Sequence, residues 1–330
     1  MSSSGRDPGT PVSASVTTKQ AGKRFDQVLA EMFPDYSRAR LQAWIRSGHA
    51  RLDGHQVLPR LRVKAGQRAE LAPQATPVVA AQAEALPLNI VFEDADLLVV
   101  SKPAGLVVHP GAGNPTGTLL NGLLHHAPEL EQLPRAGILH RLDKDTSGLL
   151  LVARSLAAHT RLTRDLEQRE IRREYRAVCN DQLTAGGRVD APVGRHRTQR
   201  TRMAVTSAGR PAVTHYRVLQ RFVAHTLIAV RLETGRTHQI RVHMQHAGHP
   251  LVGDPVYGGR LRLPKGADDA TVAALQGFRR QALHACALGF RHPRSGAALE
   301  FQAPLPADMV TLLSALAGSA AGDFDALHWP

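Results

Sequence analysis

One short segment near the middle of the 330-residue chain brings together groups that can do chemistry. It holds two carboxylates and two cations: Arg141, Asp143, Lys144 and Asp145. A short apolar run, residues 149–153, follows, so the segment is predicted to be a charged loop beside a buried strand. Rigid scaffolds commonly hold their catalytic groups on such loops. We therefore take Asp143 as the first candidate for a catalytic residue.

The local residue types fit several kinds of site. Asp143 and Asp145 could be the paired carboxylates of a glycosidase, but a chain with two tryptophans offers no aromatic platform for a sugar. Ser147 does not lie in a GxSxG sequence, which argues against a serine hydrolase. Residues 111–115 (GAGNP) lack the Gly-Lys-Ser/Thr of a phosphate loop. By local composition alone, Asp143 could equally be a turn residue neutralised by neighbouring cations.

The overall composition favours a polyanionic partner. Lys and Arg number 41 against 28 Asp and Glu, which gives a formal net charge of +13. Strongly basic chains tend to bind polyanions such as RNA. No apolar run approaches the ~18 residues of a membrane span, and the N-terminus lacks the hydrophobic core of a signal peptide. We therefore expect a cytoplasmic protein with no membrane partner.

Residue spacing gives little support to metal or disulfide chemistry. Cys179 and Cys286 are far apart and form no CxxC, so we expect two buried thiols. Among the 17 histidines, none forms an HxxxH with an acidic partner. His238 and His243 are five residues apart, which places them on different faces of a helix or a strand. We predict no metal and no cofactor.

Composition and periodicity divide the chain into two domains. The N-terminal residues are rich in Ser, Gly and Pro, and a later stretch is rich in Ala, Pro and Gln. We predict a disordered tail at 1–15, a small domain at 16–75, a linker at 76–87 and a large domain at 88–330.

The small domain has the pattern of two helices followed by short strands. Ser37 is predicted to cap the second helix. That helix carries three arginines: Arg38, Arg40 and Arg46. A strand pair is predicted around the Asp53-Gly54 turn, and another within residues 61–71. This arrangement resembles the S4 RNA-binding domain, which implies that the three arginines contact RNA.

The large domain is predicted to be α+β with a mixed, mainly antiparallel sheet. Its strands differ in length and its helices do not alternate with them as in βαβ units. The strands are predicted near residues 88–92, 97–101, 171–179, 212–222, 225–233, 281–285 and 287–301. A helix is predicted to begin at Thr237 as N-cap and to end before Gly248 and Pro250.

Five segments of the large domain, in order, resemble motifs of the RluA-type pseudouridine synthases. They span about residues 88–305, which makes chance agreement negligible. The segments are 102–111 (KPAGLVVHPG), 140–149 (HRLDKDTSGL), 173–177 (REYRA), 234–243 (TGRTHQIRVH) and 251–259 (LVGDPVYGG).

The resemblance implies isomerisation of uridine to pseudouridine in RNA, in a catalytic domain with a central cleft and without a cofactor. Asp143 is then the nucleophile, Arg241 its counter-ion and Tyr175 the residue that stacks on the uracil. The carboxylate either attacks C1′ or removes a sugar proton to give a glycal, and both routes stay open. Arg141 is expected to fill the space of the flipped base or to contact the displaced backbone. Asp145 is left with a turn or structural role.

The resemblance also implies a substrate and a set of contacts. The expected substrate is 23S ribosomal RNA, at uridines of the helix 69 stem-loop, bound by a monomer with no obligate protein partner. Two rival functions remain: a non-catalytic RNA-binding or assembly factor, and the same chemistry on another RNA. The further residues expected to bind substrate are His140, Leu142, Thr146, Arg236 and His238.

Overall fold

The computed structural model describes most of the chain in two compact units, divided between positions 80 and 81. The described residues are 11–33, 36, 38–73, 82–111, 113–199, 202–320, 322–327 and 329, with the backbone alone at 38–40 and 319.

The first unit packs two helices against a three-stranded antiparallel sheet of strand order β1-β3-β2. Its apolar core includes Phe25, Leu29, Leu41 and Ile45, all fully buried. In chain order, its elements are β1 (Val12–Ser15), α1 (Phe25–Met32), α2 (Arg38–Arg46), β2 (Ala50–Leu52) and β3 (Arg68–Leu71).

The prediction of a disordered tail over residues 1–15 is wrong for its last part. Strand β1 pairs with β3 from Val12 opposite Leu71 to Ser15 opposite Arg68. The side chains of Val12 and Ala14 pack against the core of the first unit, and this contact with a distant strand gives the segment its order. Residues 1–10 of the predicted tail lie outside the described residues.

The turn at Asp53-Gly54 forms, but the strand predicted after it does not. Asp53 and Gly54 both have positive φ, 52° and 78°, as the tight turn requires. Beyond the turn, only a single bridge joins Leu52 and His55, and β2 pairs with β3 instead. The Asp53 carboxylate accepts hydrogen bonds from the Arg68 N–H at 2.7 Å and from Gln67 Nε2 at 2.8 Å. These bonds hold the turn to the start of β3. Of the strand pair predicted within residues 61–71, one strand forms, and it is β3.

The predicted linker, residues 76–87, divides in the structure. Residues 74–81 lie outside the described residues. Farther on, the Glu84 N–H donates to the Asn121 carbonyl at 3.0 Å, and Asn121 Nδ2 donates to the Gln82 carbonyl at 2.7 Å. Residues 82–87 are therefore part of the second unit.

The second unit is built from a large sheet, a strand pair and five helices among its described residues. In chain order, its strands and α-helices are β4 (Ile90–Glu93), β5 (Leu97–Lys102), α3 (Leu119–His126), β6 (Ser147–Ala153), α4 (Leu156–Glu167), β7 (Arg172–Asn180), β8 (Gly187–Asp190), β9 (Val193–Arg195), β10 (Met203–Val205), β11 (Val213–Arg221), β12 (His225–Leu232), α5 (Gln239–His246), α6 (Asp269–Gly277), β13 (Leu283–Arg291), β14 (Ala298–Gln302) and α7 (Ala307–Ala317).

The large sheet has the strand order β4-β5-β6-β13-β7-β12-β11-β8, with β14 paired to β13. Of its described strand pairs, β6 with β13 is parallel and the others are antiparallel. This confirms the predicted mixed, mainly antiparallel α+β fold. Strands β9 and β10 form a separate antiparallel pair.

Helices cover both faces of the sheet because side chains alternate along its central strands. In β6, Leu150 and Val152 join an apolar cluster that includes α3 and α5. Leu149 and Leu151 point the other way and pack with α4. The Ser155 hydroxyl caps α4 as predicted, since it accepts the Ala158 N–H at 3.1 Å. The sheet is therefore a rigid wall on which loops at its ends can be fixed.

Gly148 permits the close approach of β6 to β13. Its φ is +113°, and a Cβ at this position would lie 2.2 Å from the Ala285 carbonyl oxygen and 2.6 Å from the Ala285 nitrogen. Both atoms belong to backbone that is held in the sheet, so no side chain can be accommodated. The glycine that follows Thr146-Ser147 therefore fixes where the loop carrying Asp143 enters the sheet.

The buried His225 makes a testable prediction about acid stability. Burial lowers the pKa of His225 to about 4, and both ring nitrogens are buried without a partner among the described residues. Between pH 6.5 and 4 the unfolded chain therefore binds a proton that the folded chain does not. His225 alone should lower the free energy of unfolding by about 3 kcal/mol over this window as the pH is lowered.

Urea unfolding of the wild type and of His225→Phe at pH 7.5 and pH 5 measures this contribution. The variant should lose less stability between the two pH values than the wild type does, because phenylalanine binds no proton. An equal loss in both proteins would assign the acid sensitivity to other groups.

Candidate active site

A cleft of about 990 Å³ opens on one side of the second unit. Its walls come from the segment before β6, from β7 and from the segment that leads into α5. It contains all nine of the catalytic and substrate-binding residues predicted in this unit: His140, Arg141, Leu142, Asp143, Thr146, Tyr175, Arg236, His238 and Arg241.

Asp143 and Arg241 meet in this cleft although they are 98 residues apart in sequence. Arg241 Nη1 donates to Asp143 Oδ2 at 3.0 Å. The guanidinium side chain is 5% exposed and the Asp143 side chain 15%. The predicted counter-ion is thus in place, and the carboxylate keeps some access to the cleft.

Asp254 aims Arg241 at Asp143. Its two oxygens accept from Arg241 Nε at 2.6 Å and Nη2 at 2.9 Å, and the backbone N–H groups of Val256 and Tyr257 donate to it as well. Burial by itself would lower the pKa of Arg241, but hydrogen bonds and charges from Asp254 and Asp143 outweigh burial and raise it. This leaves Nη1 as the group directed at Asp143.

Tyr257 and His238 complete the surroundings of the carboxylate. The Met203 N–H donates to the Tyr257 hydroxyl oxygen at 2.9 Å, and the same hydroxyl is hydrogen-bonded to His238 Nδ1 at 2.9 Å. His238 Nε2 then lies 3.9 Å from Asp143 Oδ1. Burial lowers the pKa of His238, although the charge of Asp143 opposes this.

Asp254 and Tyr257 received no role from the sequence. Both residues lie in the segment LVGDPVYGG, which is one of the five segments that resemble the family motifs. Their roles depend on contacts with Arg241, Met203 and His238, none of which a local pattern reveals.

A buried lysine holds the backbone beside Asp143. Lys102 is 1% exposed, and its Nζ donates to the carbonyls of Pro103 at 2.7 Å, Leu106 at 2.9 Å and Lys144 at 2.9 Å. Burial lowers the pKa of Lys102 to about 8, while the charges of Asp145 and Asp143 oppose the shift.

The far side of the same loop is tied to the segment before β13. Arg280 Nη1 donates to the Asp145 carbonyl at 3.2 Å, and Gln281 Nε2 donates to Thr146 Oγ1 at 3.0 Å. The Thr146 N–H closes the turn on the Asp143 carbonyl at 3.0 Å. The loop is therefore pinned on both sides, which fixes the position of the Asp143 side chain.

Tyr175 lies in the middle of β7 and faces the cleft. It is 5% exposed and belongs to the same apolar cluster as Leu142 and Ile240. Burial raises the pKa of Tyr175, and the charge of Asp143 adds to this increase. Its neighbours Glu174 and Arg176 pair with each other on the opposite side of the strand at 2.7 Å, as the predicted alternation requires.

Three of the predicted substrate-binding residues make internal contacts that hold the site. Leu142 is 4% exposed and packs in the core, and the Thr146 hydroxyl is bound by Gln281. His140 Nε2 accepts the Leu151 N–H at 3.2 Å, and burial lowers the pKa of His140 to about 3, so the ring is neutral. Arg141, by contrast, is exposed at the cleft.

The predicted N-cap at Thr237 is wrong. Helix α5 begins one residue later, with His238 as N-cap in the left-handed conformation (φ 57°, ψ 20°) and without a side-chain cap. The Gln239 side chain instead ties the first residue of the helix to the preceding loop, since its oxygen accepts from the Arg236 N–H at 2.9 Å and from Thr234 Oγ1 at 2.8 Å. Arg236 is tied in turn to the Pro211 carbonyl through Nε at 3.2 Å.

The second histidine of the segment serves the core. His243 is fully buried, and its two ring nitrogens bond Thr214 Oγ1 at 2.8 Å and the Ala191 carbonyl at 2.9 Å. The prediction that His238 and His243 lie on different faces is confirmed. Gly248, with φ +87°, follows the C-cap Ala247 as predicted.

The arginines predicted to bind RNA in the first unit are described only in part. Arg46 is exposed at the end of α2. The side chains of Arg38 and Arg40, and all of Ser37, lie outside the described residues.

One group of described residues, Asp94, Asp96 and His292, has the spacing of metal ligands. Its members already have other partners. Asp96 pairs with Arg294 at 2.7 Å, and His292 Nε2 lies 2.9 Å from Asp94. The ion pairs account for the close approach of these three side chains, and none of the three lines the cleft.

The two cysteines are buried thiols, as the sequence predicts. Cys179 and Cys286 are free and buried, and burial raises the pKa of Cys286 to about 12. Among the described helices, none has the length and apolar character needed to cross a membrane.

Comparisons with known families identify both units. The family model described as RNA pseudouridylate synthase matches residues 96–246, and the S4 domain model matches residues 23–68. Both resemblances inferred from the sequence are thereby confirmed. The α+β unit and its cleft therefore belong to an RNA pseudouridine synthase, an RNA-modifying isomerase, and in this chain an S4 domain precedes it.

The chain belongs to the RNA pseudouridylate synthase family. It is 53% identical over 319 residues to ribosomal large subunit pseudouridine synthase D of Yersinia pestis, covering 96% of this chain and 98% of the relative. The protein of the same name from Escherichia coli strain K12 is 51% identical with the same coverage. That from Haemophilus influenzae is 52% identical over 310 residues, 94% of this chain and 96% of the relative.

Solved structures show the same fold for the catalytic unit. Human RNA pseudouridylate synthase domain containing 4 superimposes with a TM-score of 0.54 at 26% identity, covering 69% of this chain and 92% of that one. Human RNA pseudouridylate synthase domain containing 1 gives a TM-score of 0.51 at 25% identity, with coverages of 67% and 85%.

Proposed function

We propose that this chain converts specific uridines of large ribosomal subunit RNA to pseudouridine, with the helix 69 stem-loop of 23S rRNA as the target. The names and high identity of the relatives support the RNA class. The observation that carries the proposal for the site is the contact of Arg241 with Asp143 in a cleft that also holds Tyr175.

Asp143 is the proposed nucleophile. Arg241 occupies Oδ2, so Oδ1 is the oxygen that can reach C1′ of the ribose or remove a sugar proton. Both routes break the N1–C1′ bond, and both require an ionised carboxylate, which a neighbouring guanidinium favours. Both routes therefore remain in the proposal.

Tyr175 is the proposed platform for the uracil. After N1–C1′ cleavage, the base must turn while it is held, so that C5 can bond to C1′. A buried aromatic ring in the wall of the cleft suits this task because stacking holds a base without fixing one orientation. Burial raises the pKa of Tyr175, and stacking is the role proposed for its ring.

Charge and exposure support the remaining parts of the proposal. Arg141 is exposed at the cleft and is placed to fill the gap left by a flipped base. The net charge of +13 and the S4 domain suit an RNA partner. We further propose that the chain acts in the cytoplasm as a monomer, without an obligate protein partner and without a metal or cofactor.

Mapping of pseudouridines in cells with and without this protein tests the target. The uridines of helix 69 should lack pseudouridine in the deletion strain and regain it when the wild-type chain is supplied. Supplying Asp143→Asn is the matched control and should not restore them.

Two other results would contradict the proposal. Unchanged pseudouridines throughout the RNA would favour a non-catalytic binding or assembly factor. Loss at another rRNA site or in tRNA would keep the chemistry and replace the target.

A further inference from the structure

Arg173 is a buried cation in the cleft, and none of the described residues pairs with it. It is 8% exposed, and it lies on β7 two residues before Tyr175, so both side chains are on the same side of the strand. Its Nε is buried without a hydrogen-bond partner. Across the described residues, no carboxylate lies within ion-pair distance of its guanidinium.

Other buried arginines of this unit are paired. Arg241 is bound by Asp143 and Asp254, and Arg176 by Glu174. A guanidinium removed from water without a partner costs free energy, which an anionic ligand would offset. Arg173 therefore differs from its neighbours in having its charge available for a ligand.

The surroundings of Arg173 keep it available. Glu233 also lines the cleft, but it pairs with Arg169 and, at 2.7 Å, with His215. Glu167, the other glutamate of the lining, is exposed. Arg236 lines the same cleft, and its positive charge adds to the attraction for an anion.

Gly235 provides space for the guanidinium. A Cβ at this position would lie 3.0 Å from Arg173 Nη1. The backbone of Gly235 does not have positive φ, so the need for a glycine here is one of space. The segment before α5 thus accommodates an arginine that has no partner within the described part of the chain.

We propose that Arg173 binds a phosphate of the RNA backbone next to the target uridine. The proposal rests on the proposed function, because it takes Tyr175 as the platform for the base. Residues two apart on a strand are about 7 Å apart, so Arg173 can reach the backbone of the nucleotide that Tyr175 holds. A phosphate is favoured over a uracil carbonyl because it is charged and matches the guanidinium fork.

The test uses RNA stem-loops in which single phosphates are replaced by neutral methylphosphonates. With all-phosphate RNA, Arg173→Met should lower affinity and kcat/KM by about 10- to 100-fold. The slope of log affinity against log salt should become shallower by about 0.7. At one linkage beside the target uridine, a methylphosphonate should weaken the wild type by a similar factor and Arg173→Met hardly at all.

Arg291→Met is the matched control. Arg291 is exposed at the end of β13, donates to the Gly296 carbonyl at 3.2 Å and is absent from the cleft lining. It removes one positive charge from the same unit and should leave the wild-type sensitivity to the methylphosphonate. The proposal would be overturned if, at every linkage, the affinity losses caused by Arg173→Met and by the methylphosphonate were additive. A loss confined to kcat would instead assign Arg173 to the uracil.

Two further measurements separate binding from folding. Because Arg173 has no partner among the described residues, Arg173→Met should melt at the wild-type temperature or above it. A marked fall in melting temperature would contradict the proposal. Gly235→Ala retains Arg173 but crowds Nη1, and it should give a smaller loss at the same linkage. Affinity measurements separate the proposed phosphate contact from the proposed function. They report on Arg173 even if the wild type forms no pseudouridine in the RNA.

Discussion

Asp143→Asn is expected to abolish pseudouridine formation and to leave RNA affinity nearly unchanged. An amide cannot attack C1′ or accept a sugar proton, so turnover should fall by on the order of 10⁴-fold or more. The amide oxygen can still accept from Arg241 Nη1, now 3.0 Å from Asp143 Oδ2, so the cleft should keep its shape. Release of tritium from C5-labelled uridine in the RNA measures turnover, and filter binding measures affinity.

Asp145→Asn is the control for this experiment. It makes the same chemical change two residues away on the same loop, where the backbone carbonyl of Asp145, held by Arg280, is unaffected. This variant should retain most of the wild-type turnover. Turnover by Asp143→Asn, or an equal loss in Asp145→Asn, would assign the nucleophile to another group.

Arg241→Met is expected to reduce both turnover and stability. Its loss removes the charge beside Asp143, which should lower kcat by about 10²- to 10³-fold. The substitution also leaves the Asp254 carboxylate, whose side chain is 0% exposed, without its ion-pair partner. An uncompensated buried charge destabilises a fold by about 3–5 kcal/mol. Steady-state kinetics and urea unfolding measure the two effects.

The double variant Arg241→Met/Asp254→Asn separates these effects. It removes the stranded charge, so much of the lost stability should return while kcat remains low. A loss found in affinity with kcat unchanged would instead assign Arg241 to phosphate contact. Recovery of turnover together with stability would show that Arg241 has a purely structural role.

Local patterns predicted well the elements whose burial follows their own periodicity. The alternation in β7 placed Tyr175 opposite Glu174 and Arg176, and the pairing of Glu174 with Arg176 away from the cleft agrees with it. The cap at Ser155 was predicted because its partner, the Ala158 N–H, is three residues away. These features depend on neighbours in sequence, so the sequence displays them.

Other elements depended on distant partners and were predicted less well. Strand β1 is ordered by its pairing with β3, more than 50 residues away, so its own composition suggested a tail. The N-cap of α5 is His238 and not Thr237, and the Gln239 side chain that follows it bonds the Arg236 N–H and the Val213 carbonyl of β11. Propensity describes a residue in an average setting, and these contacts override it.

By itself, the sequence determined the family and the candidates Asp143, Tyr175 and Arg241, because five motifs record these residues in order. Tertiary structure alone decided how these residues are arranged. It joined Arg241 to Asp143 across 98 positions, set Asp254 behind Arg241 and pinned the Asp143 loop to Lys102. It also left Arg173 without a carboxylate among the described residues. Charge pairing and burial depend on distances in space, and only the folded chain sets these distances.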